Sequence, residues 1–120
     1  MRPYITGIHH ITAIAGNAQQ NIDFYTGILG LRLVKRTINF DAPDVYHFYF
    51  GDELGRPGTV FTTFPFTGAR KGTKGTGEVT YTAFSIGISS LEFWKDPLLE
   101  VLGTQMYDTL LLAESIILRS

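Results

Sequence analysis

The sequence predicts an α+β protein that begins with a strand–helix–strand–strand–strand (βαβββ) unit. Residues 7–15 are a β-branched, strand-like run, and Asn17 follows as a candidate helix N-cap. Apolar residues then recur at helical spacing as far as Gly30. Three further strand-like stretches at 31–40, 45–50 and 59–66 are separated by turn-forming residues.

The helix is predicted from its two ends and from its periodicity. Asn17 with Gln20 three positions later matches the capping-box pattern, in which a side-chain oxygen accepts from the first backbone N–H groups. Ile22, Tyr25 and Leu29 lie at helical spacing, and Gly30 is a suitable residue to end the helix.

The second strand should alternate between two faces. Strict alternation over 31–40 places Leu31, Leu33 and Lys35 on one face and Arg32, Val34 and Arg36 on the other. A turn at 41–44 leads to the aromatic strand 45–50, and a loop at 51–58 leads to the strand 59–66, which stops near Pro65.

A second copy of the opening strand and helix starts near Gly77. The run at 81–84 matches 11–14 at an offset of 70 residues, and the run at 91–94 matches 22–25 at an offset of 69 residues. Ser89 and Glu92 repeat the capping pattern, while Pro97 should kink the helix. The position of His10 is taken by Thr80 in this copy.

The chain therefore divides into a first unit at 1–66, a linker at 67–77, a partial second unit at 78–103 and an apolar tail at 104–120. Apolar residues of the tail follow a helical period from Met106 to Ile117, which predicts a C-terminal helix. Its apolar surface needs a cover, and a second copy of the chain would supply one, so we expect a homodimer.

Composition narrows the function classes. The 120 residues carry 10 basic and 11 acidic side chains, which argues against a nucleic-acid surface or an electrostatic membrane anchor. No cysteine is present, so disulfides and thiolate metal sites are excluded. No signal-peptide or membrane-span pattern is present, and we expect a cytoplasmic protein.

The adjacent histidines of the first strand are the main candidates for chemistry. Alternation places His9 and His10 on opposite faces. We expect His10 to face the interior of a cup and His9 to face the helix layer or a sheet edge. His47 in the aromatic strand is a candidate acid or base, and Tyr49 a candidate hydroxyl donor to a bound oxyanion. Ordinary packing is the alternative interpretation for His47 and Tyr49.

A resemblance to the vicinal oxygen chelate superfamily rests on the phrase GIHHITAIAGNAQQNIDFYTGILGLRLVKRTINFD, together with YHFYFGDELGRPGT and TGEVTYTAFSI. That superfamily includes glyoxalase I, bleomycin-resistance proteins and extradiol dioxygenases. The resemblance covers residues 5–95 and is greatest to the amino-terminal part of bacterial ring-cleaving dioxygenases. It implies a βαβββ fold in which paired units form a cup around a divalent metal.

The resemblance also implies site residues. His10, seven residues before Asn17, takes the position of the first-strand metal ligand. The last-strand ligand is normally a glutamate, and its position falls at Thr62 or Thr63, neither of which is a good ligand. Fe(II) is the implied metal, with Mn, Ni or Zn as alternatives. A histidine lining a metal-free cup is the other interpretation of His10.

Three functions follow as hypotheses. The first is a metal-dependent ring-cleaving dioxygenase, or a glyoxalase-like lyase, acting on a small aromatic or vicinal-oxygen substrate. The second is a metal-free small-molecule-binding module of the bleomycin-resistance type. The third is an inactive, truncated member of the superfamily that self-associates through residues 104–120.

Overall fold

A computed structural model of the chain describes residues 4–79 and 81–94, together with the backbone of two strands at 109–112 and 115–119. The chain divides into two compact units, Met1–Lys71 and Gly72–Ser120, which are described separately. The division falls inside the segment 67–77 that the sequence marks as a linker. Among the described residues, no helix is long and apolar enough to cross a membrane.

The first unit has the predicted strand–helix–strand–strand–strand order. Its elements are β1 (His10–Ala15), α1 (Ala18–Ile22) continued by a π-helix (Asp23–Ile28), β2 (Arg32–Ile38), β3 (Tyr46–Gly51) and β4 (Val60–Pro65). The four strands form one sheet in the order β1-β4-β3-β2. β1 pairs with β4 in parallel, and the other pairs are antiparallel. The α+β βαβββ fold is therefore confirmed.

The helix begins as predicted but changes type within one turn. Asn17 Oδ1 accepts the backbone N–H of Gln20 at 3.0 Å, and Gly30 adopts a positive φ of 68° just after the helix. The Leu29 N–H donates to the Phe24 carbonyl five residues earlier, which is π-type bonding. The Thr26 hydroxyl donates to the Ile22 carbonyl at 2.7 Å and so competes for the acceptor of a regular α-helix.

The core lies between this helix and one face of the sheet. The Tyr25 ring packs against Phe50 and Phe61, with ring centroids 4.9 Å and 5.0 Å apart. The buried apolar side chains are Leu29, Val45, Phe48, Phe50 and Phe61. Because this face of the sheet is covered by the helix, the side chains on its other face remain available for a site.

A β-bulge at Val34 changes the faces of β2. Leu33 pairs with Phe50 and Lys35 pairs with Tyr49, so β2 advances two residues while β3 advances one. The prediction that Leu33 and Lys35 share a face is therefore wrong, because the extra residue between them reverses the alternation. The bulge packs closely against Gly55, whose φ is 64°.

The second unit repeats only the start of the first. It contains β5 (Tyr81–Ser85), a 3-10 turn (Ile88–Ser90) leading into helical residues 91–94, β6 (Thr109–Leu112) and β7 (Ser115–Arg119). The turn begins at Gly87 without a side-chain cap, and the Ser90 hydroxyl donates to the Gly87 carbonyl. Pro97 lies outside the described residues.

The predicted tail helix is wrong for the described residues. Residues 109–112 and 115–119 are strands, which pair with β5 in the antiparallel order β5-β7-β6. Short continuous apolar runs fit a buried strand as well as a helix, and the β-branched Ile116 and Ile117 favour the strand. The antiparallel β5–β7 pairing also differs from the parallel β1–β4 pairing, so the internal repeat does not extend to the final strands.

Candidate functional site

The face of the four-stranded sheet opposite the helix, called the open face below, carries the candidate site. Strand alternation and pairing place on it His10, Thr12, Arg32, Lys35, His47, Tyr49, Thr62 and Phe64. No residue of the four strands is acidic. The ionisable side chains that the strands place on this face are therefore cationic groups, histidines and a tyrosine.

His10 is the first residue of β1, and its side chain is exposed on the open face. The alternation of the strand predicts this placement. His9 precedes the strand, and its Nδ1 lies 3.0 Å from Nδ1 of His10 instead of facing the helix. Of the two directions predicted for His9, the helix layer is wrong, because a residue before the first strand position is not held to the strand's alternation. A sheet edge stays a prediction, since β1 is an edge strand. The two rings meet edge to face at 5.2 Å.

His47 and Tyr49 form a pair two residues apart on β3. The Tyr49 hydroxyl lies 3.0 Å from Nδ1 of His47, and the His47 ring packs against Phe64 at a centroid distance of 4.1 Å. Nε2 of His47 is buried and has no hydrogen-bond partner among the described residues. The sequence predicts both residues as site candidates, and the structure brings them together.

The electrostatic surroundings of His47 favour its neutral form. Burial lowers the pKa of His47 below its usual value, and the charges of His10 and Lys35 lower it further. When the Tyr49 hydroxyl donates to Nδ1, the proton of the neutral ring is carried by Nε2. The unpartnered Nε2 is then a hydrogen-bond donor.

The two threonines of β4 have different surroundings. Thr62 is buried, and its hydroxyl lies 2.7 Å from the hydroxyl of Thr12 on the open face. Thr63 lies on the helix face and donates to Asn21 Oδ1 at 2.6 Å. Of the two candidates for the last-strand ligand position, Thr62 is therefore the one on the same face as His10.

These residues do not by themselves complete a metal centre. His10 supplies one imidazole, Thr62 supplies a hydroxyl already bonded to Thr12, and the strands supply no carboxylate. Within the described part of the chain, no group of three or more His, Cys, Asp or Glu side chains is placed to hold a metal ion. We therefore derive no reaction step through a metal from this chain alone.

Sequence reasoning did not place two residues, Lys35 and Thr12, on the open face. Lys35 reaches it only because of the bulge at Val34, and its Nζ lies 5.6 Å above the Tyr49 ring. No local sequence signal marks that bulge. Thr12 lies two residues after His10 on the same strand, and this spacing alone could have identified it as a neighbour on the open face.

Most of the chain matches a known protein family. Residues 7–97 match the family described as the Glyoxalase/Bleomycin resistance protein/Dioxygenase superfamily. The chain belongs to that superfamily, which confirms the resemblance read from the sequence.

Its relatives include ring-cleaving dioxygenases. The chain is 56% identical over 89 residues to the Bacillus subtilis protein named "Putative ring-cleaving dioxygenase MhqO". This alignment covers 74% of this chain and 28% of the relative. It is 42% identical over 98 residues to the chlorohydroquinone/hydroquinone 1,2-dioxygenase of Sphingobium indicum, covering 80% of this chain and 30% of the relative. The chain thus spans less than a third of the length of these relatives.

Solved structures share the fold. A crystal structure described as a "putative dioxygenase" from Bacillus subtilis has a TM-score of 0.73 and 47% identity, covering 92% of this chain and 36% of that one. The fosfomycin resistance protein FosX of Listeria monocytogenes, complexed with Mn(II) and sulfate, has a TM-score of 0.57 at 16% identity. That alignment covers 86% of this chain and 76% of FosX. At this identity the FosX likeness concerns the fold alone.

Proposed function

We propose that this chain takes part in metal-dependent ring cleavage of a dihydroxylated aromatic compound of the hydroquinone class. The placement of His10 on the same open face as the His47–Tyr49 pair carries the proposal. The similarity to a hydroquinone 1,2-dioxygenase supports the substrate class. Such a reaction adds both atoms of dioxygen to the ring as one carbon–carbon bond breaks, so no other oxidant is consumed.

In this proposal His10 is a metal ligand. Imidazole binds Fe(II), Mn(II), Ni(II) and Zn(II), and Fe(II) suits dioxygen chemistry. The family resemblance favours the same position. The carboxylate that an Fe(II) site of this kind requires has to come from outside the described strands, from another part of the protein or from a partner copy. We further propose that the protein is cytoplasmic and forms a homodimer. Sedimentation of the full chain would test the dimer.

The test combines metal content with oxygen uptake. The purified chain, loaded with Fe(II) without air, is expected to retain metal after desalting and to consume dioxygen when hydroquinone is added. His10→Ala should lower metal affinity by at least about tenfold, because even the loss of a residue that only hydrogen-bonds to a metal ligand lowers affinity by that much. His9→Ala is the matched control for loss of an exposed imidazole, because His9 lies outside the strand although its Nδ1 is 3.0 Å from Nδ1 of His10.

The outcomes separate the hypotheses. Equal metal retention by the unaltered chain and His10→Ala overturns the role of His10. A folded chain that holds Fe(II) but consumes no dioxygen with hydroquinone overturns the proposed reaction for this chain.

A metal-free binding module is the second candidate. The hydrogen bond between Thr62 and Thr12 favours it, because it occupies the hydroxyl at the position where the superfamily normally places a glutamate. This function predicts that the open face binds an aromatic ligand equally well with and without a chelator. It also predicts unchanged binding in His10→Ala, whereas the dioxygenase proposal predicts that the chelator abolishes oxygen uptake.

A further inference from the structure

We propose that His47, Tyr49 and Lys35 form a subsite on the open face that receives an anionic oxygen of an aromatic ligand, either a phenolate or a carboxylate. The inference deepens the proposed function by assigning the charge of the ligand and the residues that recognise it. It rests on the same open face, but it does not require a metal.

The first support is the unsatisfied nitrogen of His47. Nε2 is buried and has no partner among the described residues, although most buried polar groups in proteins are hydrogen-bonded. His47 as a whole is only partly buried, and strand alternation places it on the open face. An oxygen acceptor at this point would supply the missing hydrogen bond.

The second support is the orientation of the pair. When the Tyr49 hydroxyl donates to Nδ1, 3.0 Å away, Nε2 is the nitrogen of the neutral ring that is left to donate. The Phe64 ring packs against the His47 ring at a centroid distance of 4.1 Å and a tilt of 31°, which restricts the position of the His47 ring. An aromatic ligand has a ring that can pack beside these two and an oxygen that can accept from Nε2.

The third support is the charge of the face. Lys35 lies above the Tyr49 ring, close enough to His47 to affect its titration. Arg32 is on the same face and donates to the Glu53 carbonyl. Because the four strands contain no acidic residue, an anion would meet positive charge without a competing carboxylate from the sheet.

Binding of matched small anions to the full, metal-free chain tests the subsite. Benzoate and benzamide have the same shape and differ in charge, and 4-nitrophenolate tests the phenolate form. Titrations followed by NMR should show benzoate or 4-nitrophenolate binding about tenfold more tightly than benzamide, equivalent to about 1.4 kcal/mol. Tighter binding of 4-nitrophenolate identifies a phenolate site, and tighter binding of benzoate identifies a carboxylate site.

Two substitutions on one strand provide the control. Lys35→Met should remove most of the preference for the anion over benzamide. Arg36→Met should keep it, since Arg36 lies on the opposite face, above the Tyr46 ring. His47→Phe retains the aromatic packing and should lose the anion preference, and in the unaltered chain the Nε2 proton signal should shift when the anion binds.

Several results would overturn the subsite. These are equal affinity for benzoate, 4-nitrophenolate and benzamide, a preference that survives both Lys35→Met and His47→Phe, or an equal loss in Arg36→Met. The anion titrations use the metal-free chain. Loss of oxygen uptake in the Fe(II)-loaded chain, with anion binding intact, therefore counts against the proposed reaction alone. Intact oxygen uptake with no anion preference counts against the subsite alone.

Discussion

Among the glycines that the structure describes, Gly55 is the one where an added Cβ meets the closest contact. Its φ of 64° is in the left-handed region, and a Cβ built there would lie 2.8 Å from Cγ1 of Val34. Gly30 has a similar φ of 68° but nothing within 4 Å of an added Cβ. The two glycines therefore share the conformational cost of alanine and differ in the steric contact.

The structure sets the size of each effect. Alanine in the left-handed region costs about 1–2 kcal/mol, which is the whole expected loss for Gly30→Ala. At Gly55 the Val34 side chain must also move, and forcing extra atoms into a packed site costs about 1–3 kcal/mol. Val34 is 37% exposed and can turn toward solvent, so we take the lower end of this steric cost. We therefore expect Gly55→Ala to lower the free energy of unfolding by about 1 kcal/mol more than Gly30→Ala does.

Urea unfolding of the two variants measures this difference, provided that they share one denaturant slope. Repeating the pair in a Val34→Ala background removes Cγ1 and should make the two losses equal. The reasoning is refuted if Gly55→Ala and Gly30→Ala cost the same in the unaltered chain. It is also refuted if the excess loss at Gly55 persists without the Val34 methyl groups.

Two other predictions concern buried polar groups. Thr63→Val should destabilise the first unit by about 1–2 kcal/mol, because it leaves Asn21 Oδ1 without its donor, and a double-mutant cycle with Asn21→Ala should show the coupling in urea unfolding. The lowered pKa of His47 means that the unfolded chain binds more protons below about pH 6.5, so stability should fall as pH decreases from that value. Because His10 and Lys35 also face the His47 ring, the pH dependence of the unaltered chain is compared with that of His47→Gln. The melting temperature of each protein is measured at pH 7.5 and at pH 5.5. Equal pH dependence in both would contradict the assignment.

The parts of the fold that depend on local rules could be predicted from the sequence. Asn17 starts the helix, Gly30 follows its end, and the turn residues separate the three strands that follow. The π-helical bonding was not predictable from periodicity, because the Thr26 hydroxyl competes for a backbone acceptor that the apolar pattern does not report. The prediction of a helix in the tail failed for a different reason, because short apolar runs fit the period of a helix and that of a strand.

The candidate site was partly predictable for the same physical reasons. The alternation of β1 and β3 correctly places His10, His47 and Tyr49 on one face. Alternation failed at Lys35, because a bulge adds a residue without leaving a mark in the sequence. The hydrogen bond between Tyr49 and His47 depends on ring orientation, which strand parity constrains but does not determine.

The bulge at Val34 also decides where β2 can change in length. Deleting Val34 would remove the one residue that has no partner on β3, leaving Leu33 opposite Phe50 and Lys35 opposite Tyr49. A deletion at Thr37 would instead turn Ile38, the last residue of the strand, to the other face. Position 34 is therefore the point in this strand where related sequences can differ by a single codon and still share one register.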